Sequence, residues 1–349
     1  MKLGVGIGYS GAQMSMPLEM IQHAESLGYD SVWSAEAYGS DALTPLAYIA
    51  ARTEKIKLAT GILQIPARTP AMTAMSMGTL DALAGGDRVI CGLGLSGPQV
   101  VEGWYGRPWG KPGTRIREYV QILRAIFKRE EPVSIDGIEY QMPYTGEGSM
   151  GLGKPLKSIL HMSPDIPIYL ATLGPGNVRL TAEIADGWLP MWFSPYQMHN
   201  YTPWLDEGFK KAKAAGEDKG WHNFSIQTGC TVIITDDVQD ALRMQKPNVA
   251  LYVGGMGARE KNFHNDTMVR YGYGDAAAQI QDLYLSGRKA EALEEVPDEL
   301  VDEMCLVGPV ERIRDRYKAW ADSGLTAITV NSRQPEALEL MADLAETKP

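Results

Sequence analysis

Ile56–Leu95, IKLATGILQIPARTPAMTAMSMGTLDALAGGDRVICGLGL, reads as one strand–helix–strand unit, and that unit decides the fold. Ile56–Ile65 is a β-branched and apolar strand. Pro70 then opens a helix rich in Met and Ala that runs to Leu83 and is stopped by Gly85-Gly86, after which Arg88–Leu95 is a second strand. The same alternation extends upstream. LGVGIG near the start is a strand, and Pro17–Leu27 is a helix with Leu18, Ile21, Ala24 and Leu27 on one face. Gly28 ends that helix, Asp30–Trp33 is a strand and Pro45–Thr53 a short helix.

Downstream, Thr114–Lys128 is an amphipathic helix with Ile116, Val120, Leu123 and Phe127 aligned. Pro132–Pro143 alternates around Asp136-Gly137, a hairpin signal, so residues 129–165 read as an insertion. Ile166–Ala171, Gly187–Pro190 and Ser225–Thr235 are strands, separated by helical stretches that begin near Pro175 and Pro195. Residues 247–303, rich in Gly, Met and Tyr early and charged later, suit a lid over a site. Pro309–Ser323 is a helix, Thr326–Val330 the last strand and Pro335–Ala345 a final helix. Eight strands alternating with helices predict a parallel sheet that closes as a (β/α)8 TIM barrel, one domain over 1–349, with its long insertion between strands seven and eight. An open doubly wound sheet is the alternative architecture.

Composition narrows the partners. Net charge is -10, which opposes nonspecific binding to nucleic acid or anionic membranes. The start MKLGVGIGYS lacks the basic and long apolar regions of a signal peptide, and no run approaches the roughly 18 apolar residues of a membrane span. A cytoplasmic protein is expected. Cys91, Cys230 and Cys305 are far apart, which suits a reducing compartment and offers no disulfide or zinc framework. The five histidines form no H-x-x-H pair, so no metal site is expected, and there is no G-x-S-x-G elbow of a hydrolase.

Gly92-Leu-Gly-Leu-Ser-Gly97 matches G-x-G-x-x-G in form. Pro98 and a loop through Trp104, Tyr105 and Trp109 are expected to follow it in place of a helix, which favours glycines needed at a crowded strand end over a dinucleotide site. Leu173-Gly-Pro-Gly-Asn177 is the better anion site, because Pro175 is pre-set for a first helical turn whose unpaired amides attract phosphate. An ordinary strand-to-helix turn accounts for it equally. Glu36 and Asp41, with Tyr38 between them, follow strand two on the face where barrel active sites lie, and are candidate proton donors or acceptors. Met72, Met75, Met77, Trp188, Met191, Trp192 and Phe193 offer ring faces and thioethers for a flat aromatic guest; the trio after strand six is best placed.

Taken together, Ala24–Trp33 (AESLGYDSVW), Ile56–Arg68, Arg88–Gly97, Arg117–Tyr119, Ala185–Leu189 (ADGWL), Val307–Arg312 (VGPVER) and Ala321–Thr326 make the chain resemble the luciferase-like flavin and deazaflavin enzymes. Ala250–Gly257 (ALYVGGMG) and Pro297–Asp302 resemble the actinobacterial subgroup that uses the deazaflavin coenzyme F420. The resemblance implies a nonprolyl cis peptide at Gly61-Ile62 behind the cofactor ring. It also implies a strand-four loop at Leu95, Ser96 and Gly97, and a phosphate loop at Thr172, Leu173, Gly174, Pro175, Gly176 and Asn177. Where sugar-phosphate dehydrogenases of the family carry Asp-His after strand two and Glu after strand four, this chain has Glu36-Ala37 and Gly97, which leaves the substrate open. The resulting expectation is hydride transfer between F420 and a small organic substrate, with Glu36 or Tyr38 handling the proton, in a homodimer. An FMN-dependent monooxygenase and a noncatalytic flavin-binding barrel are the alternatives.

Overall fold

The computed structural model describes residues 1–257 and 259–347. Ala258, inside the second expected insertion, and Lys348 and Pro349, inside the expected single domain, lie outside the described residues.

Eight parallel strands close into a barrel: β1 (Lys2–Gly8), β2 (Ser31–Ser34), β3 (Lys57–Thr60), β4 (Val89–Gly94), β5 (Ile168–Ala171), β6 (Gly187–Trp188), β7 (Ser225–Ile234) and β8 (Ala327–Asn331). Each pairs with the next, and β8 closes on β1 with Lys2 opposite Ala327 and Val5 opposite Val330. All eight are legible as strands in the sequence. Side chains alternate across the wall. Leu3, Val5, Cys230, Val232, Ile328 and Val330 point outward into the core under the helices and are almost fully buried. Trp33, Ala59, Ile90, Tyr169 and Leu189 point inward and plug the middle of the barrel.

The helix expected over Thr114–Lys128 spans Pro112–Lys128, and the one expected near Pro195 starts at Thr202 after a short turn at Met198–Asn200. The hairpin pairs Ile135 with Met142 and Asp136 with Gln141, so Asp136 is in the strand and the loop is Gly137–Tyr140. The reason lies in a helix: the Glu118 carboxylate accepts hydrogen bonds from the amides of Ile138, Glu139 and Tyr140 at 2.8, 2.9 and 2.9 Å. A side chain on Gly137 would collide with that carboxylate.

A strand not anticipated from sequence, Cys305–Gly308, pairs in parallel with Thr231–Ile234 of β7. It takes the place vacated by β6, which pairs only with Ser225 and Ile226 at the start of β7. Beyond Pro190, whose carbonyl still accepts Thr228 Oγ1, the chain after β6 leaves the edge of β7 and buries Phe193 and Ser194. Among the described residues, 247–303 hold five helices and one π-helical turn, with Val253, Met268, Tyr271, Ile280 and Leu300 buried. A cavity of about 920 Å³ opens at the opposite, N-terminal end of the barrel, where Lys2 and Lys57 both pair with Asp30. The inward plug lies between that cavity and the mouth, and barrel chemistry sits at the C-terminal ends of the strands.

Candidate functional site

Glu36 leaves the end of β2 and is only 8% exposed. Its Oε1 accepts the Gln64 amide at 2.9 Å, and its Oε2 accepts the Ala42 amide at 3.3 Å and Arg68 Nη2 at 3.2 Å. The carboxylate thus ties the loop after β2 to the segment after β3. Asp41 caps the helix Leu43–Ala50 by accepting from the amides of Leu43 and Thr44, both through Oδ1. Burial would raise its pKa, but the Thr44 and Leu43 hydrogen bonds and the Arg68 charge outweigh that and hold the carboxyl below its ordinary value. Tyr38, between the two, is 57% exposed with its hydroxyl free of both. Tyr105, reaching over from beyond β4, donates to the Ala37 carbonyl at 3.2 Å.

A cis peptide joins Gly61 to Ile62. It sits in a one-residue bulge: Ala59 pairs with Ile90 and Leu63 with Leu93, so one chain advances four residues while the other advances three. Thr60 Oγ1 donates to the Gly92 carbonyl and accepts the Gly92 amide, each at 2.9 Å. A Cβ on Gly92 would lie 1.8 Å from the Thr60 carbonyl, and one on Gly94 would lie 2.9 Å from Ile62 Cδ1. A short helix, Pro98–Gly103, does open directly after Gly97, contrary to the loop expected there. The glycines still serve close strand packing, since the space beside them holds Thr60 and Ile62. Leu95, Ser96 and Gly97 are half-buried at the mouth, with Ser96 in the left-handed region at φ 62°.

Beyond β5, Gly174 at φ 76° turns the chain into the helix Pro175–Ile184. Leu173–Asn177 line a cavity of about 250 Å³ whose other wall, Phe263, Asp266 and Arg270, comes from the second insertion. The first-turn amides of such a helix lack acceptors and carry a partial positive charge. Arg270 adds a full positive charge; it donates to Thr267 Oγ1 at 2.8 Å, and its Nε has no partner among the described residues. Thr172 is turned away, its hydroxyl buried against Thr181 at 2.7 Å.

After β6 the aromatic residues divide. Trp188 and Phe193 pack in the core, as does Met77, whereas Met72 and Met75 are exposed on an outer helix. Trp192, at φ 58°, faces the insertion. Its Nε1–H donates to His264 Nδ1 at 3.2 Å, and Tyr252 meets the rings of both edge-on. Ser194 adds a second tie by donating to Glu303 at 2.7 Å. Arg68, Arg270 and His264 are not among the site residues expected from sequence: Arg68 closes the stretch Ile56–Arg68, and His264 and Arg270 lie within the insertion 247–303, read there only as a lid.

Burial pushes His264 down from 6.5 to about 4. Its folded pKa is below the unfolded one, so the unfolded chain takes up the proton first. The stability concerned is present above pH 6.5 and is lost progressively as the pH falls toward about 4. His264→Gln is expected to flatten the urea-midpoint profile across that window; an unchanged slope would refute the buried neutral imidazole.

The chain as a whole is similar to known proteins. A Mycobacterium tuberculosis protein named "Putative coenzyme F420-dependent oxidoreductase Rv3520c" is 47% identical over 346 residues, covering 99% of each chain. The coenzyme F420-dependent tetrahydromethanopterin reductase of Methanopyrus kandleri superposes with a TM-score of 0.77 at 24% identity, over 98% of this chain and 97% of that one. An F420-dependent secondary alcohol dehydrogenase, solved with an F420-acetone adduct, gives a TM-score of 0.75 at 17% identity over 100% and 99% of the two chains. At such identities the structural likenesses speak for the fold. Because the profile of the luciferase-like monooxygenases matches residues 2–327, the chain belongs to that family.

Proposed function

We propose that this protein is an F420-dependent oxidoreductase that transfers a hydride between the deazaflavin and a small organic substrate. The observation that carries the reading is the cavity at Leu173–Asn177, where a helix N-terminus and Arg270 converge on one small space. A phosphodiester tail suits that pairing of free amides with a guanidinium. The rest of the mouth supports it. Exposed Gly61 leaves the bulge after β3 without a side chain, so a flat ring can rest on backbone there. The 47% identical relative carries an F420-dependent name.

The bound deazaflavin supplies or accepts a hydride at its C5. Tyr38 is the side chain we assign to the paired proton, since its hydroxyl is exposed at the mouth; Glu36, with both oxygens occupied, acts through position by holding Arg68 and the bulge. Residues 247–303 cover the site and exclude water, anchored through the Trp192–His264 and Ser194–Glu303 hydrogen bonds.

The test is a fluorescence titration of the apoprotein with F420 and, separately, with FMN. Saturable F420 binding with weak FMN binding is expected, and the reverse would move the chain to the monooxygenase reading. Arg270→Ala is expected to weaken F420 binding by about tenfold or more, the worth of one charge-assisted hydrogen bond. Binding of the deazaflavin alcohol that lacks the phosphate should not change. Equal losses for both ligands would separate Arg270 from the tail.

A further inference from the structure

The wall of the mouth opposite the bulge carries a polar group that none of the roles above uses. β8 is four strands from β4 in either direction around the barrel, so β7, β8 and β1 face the β3–β5 side on which the ring and tail are placed. Above the inward plug, the inward positions of these three strands are Gly6, Gly8, Gly229, Thr231, Thr329 and Asn331, none of them charged.

The Asn331 side chain lies across this wall. A Cβ built on Gly6 of β1 would be 2.0 Å from Asn331 Oδ1, and one built on Gly229 of β7 would be 3.0 Å from Nδ2. The carboxamide therefore bridges from one neighbouring strand to the other, over two glycines whose lack of side chains makes room for it. Thr329 and Gln227 below it satisfy each other at 2.9 Å. The Asn331 carboxamide makes no hydrogen bond to the described residues and is exposed at the mouth. An amide with donors and an acceptor free, held over glycines inside a concave mouth, is built to meet a ligand.

The geometry points to Asn331 as the positioning residue for the substrate, hydrogen-bonding a neutral carbonyl or hydroxyl oxygen on the carbon that exchanges the hydride. This inference rests on the F420 reading and names the substrate class for that site: ketones, aldehydes or the corresponding alcohols. Carboxylates and phosphates are disfavoured against Asn331 itself, because the inward positions of β7, β8 and β1 carry no cation; Arg333 follows only after the end of β8 and is exposed. In the reducing direction, hydride from the reduced deazaflavin forms the new C–H bond. A proton forms the O–H bond, the carbon–oxygen double bond becomes single, and the deazaflavin is left oxidised.

The test compares wild type with Asn331→Ala, and uses Gly6→Ala as a second variant that displaces the carboxamide without deleting it. F420 affinity is read first, by fluorescence; no F420 binding by wild type would defeat the cofactor reading itself. F420-binding enzyme is then assayed for oxidation of reduced F420 by cyclohexanone, acetone and benzaldehyde, against cyclohexanecarboxylate and glucose 6-phosphate as controls. Turnover with the neutral carbonyls is expected, with KM raised about tenfold in both variants, kcat less affected and F420 affinity within about twofold of wild type. An independent readout is the Asn331 side-chain 15N–1H resonance pair, identified by its loss in Asn331→Ala, which should shift when cyclohexanone is added to the F420-loaded protein. Wild type that binds F420 but turns over none of the neutral carbonyls, an unchanged KM in Asn331→Ala, or a preference for the anionic compounds would each overturn the inference.

Discussion

Replacing Glu36 by glutamine is expected to destabilise the barrel by about 2–4 kcal/mol and to lower turnover by about 10²-fold, with F420 affinity changed only a few fold. The substitution keeps the shape and removes the charge. Both carboxylate oxygens face N–H donors, Gln64 on one side and Ala42 with Arg68 on the other. Whichever way the new amide turns, its NH2 group meets a donor, and Arg68 is left half-buried beside Asp41, 4.0 Å away, as its remaining partner. The loss of stability follows from that mismatch, and the loss of rate from movement of the bulge that Gln64 and Arg68 hold. Urea unfolding and single-turnover kinetics on the same preparation check both. A rate loss at unchanged stability would make Glu36 the proton carrier itself, and a stability loss at full rate would make it purely structural.

Gly92→Ala is expected to be worse, by about 3 kcal/mol or more, because the added methyl overlaps backbone that cannot turn aside. Its Cβ would fall 1.8 Å from the Thr60 carbonyl carbon's oxygen, the same residue whose hydroxyl is bonded twice to Gly92. Gly94→Ala, two residues on, is the control. There the nearest atom is the flexible end of Ile62, which can shift at a cost nearer 1 kcal/mol. Denaturation midpoints for the pair check this. Equal midpoints would mean that β3 and β4 are not packed as closely as the Thr60–Gly92 hydrogen bonds require.

The barrel was legible because its signal is local and repeated. Each strand is a short apolar run followed by a helix with one apolar face, and Pro and Gly mark the junctions, as at Pro70 and Gly85-Gly86. Cys305–Gly308 escaped because four residues beside a charged helix show no period, and its strand character comes from the edge of β7 that β6 leaves unpaired. Of the candidate site, the helix-opening turn at Leu173–Asn177 is legible from its glycines and proline, whereas the cis peptide at Gly61-Ile62 comes from the family resemblance alone. The site was hidden where it depends on distance. Arg270 meets Leu173–Asn177, and His264 meets Trp192, only after the insertion has folded back, and nothing in the spacing of those residues encodes that return. The roles of Glu36 and Asp41 were hidden too, since a mouth carboxylate that holds loops looks the same in sequence as one that moves protons.

The additional strand ties the two ends of a long excursion of the chain together. The chain leaves the end of β7, builds its cluster of helices, and comes back along the flank of that same strand, with Ile234 opposite Gly308. The two points of departure and return are fixed to each other by backbone hydrogen bonds that the helices between them do not supply. Because departure and return are fixed to each other, a change in the length of the segment between them is expected to leave the pairing of the barrel strands intact.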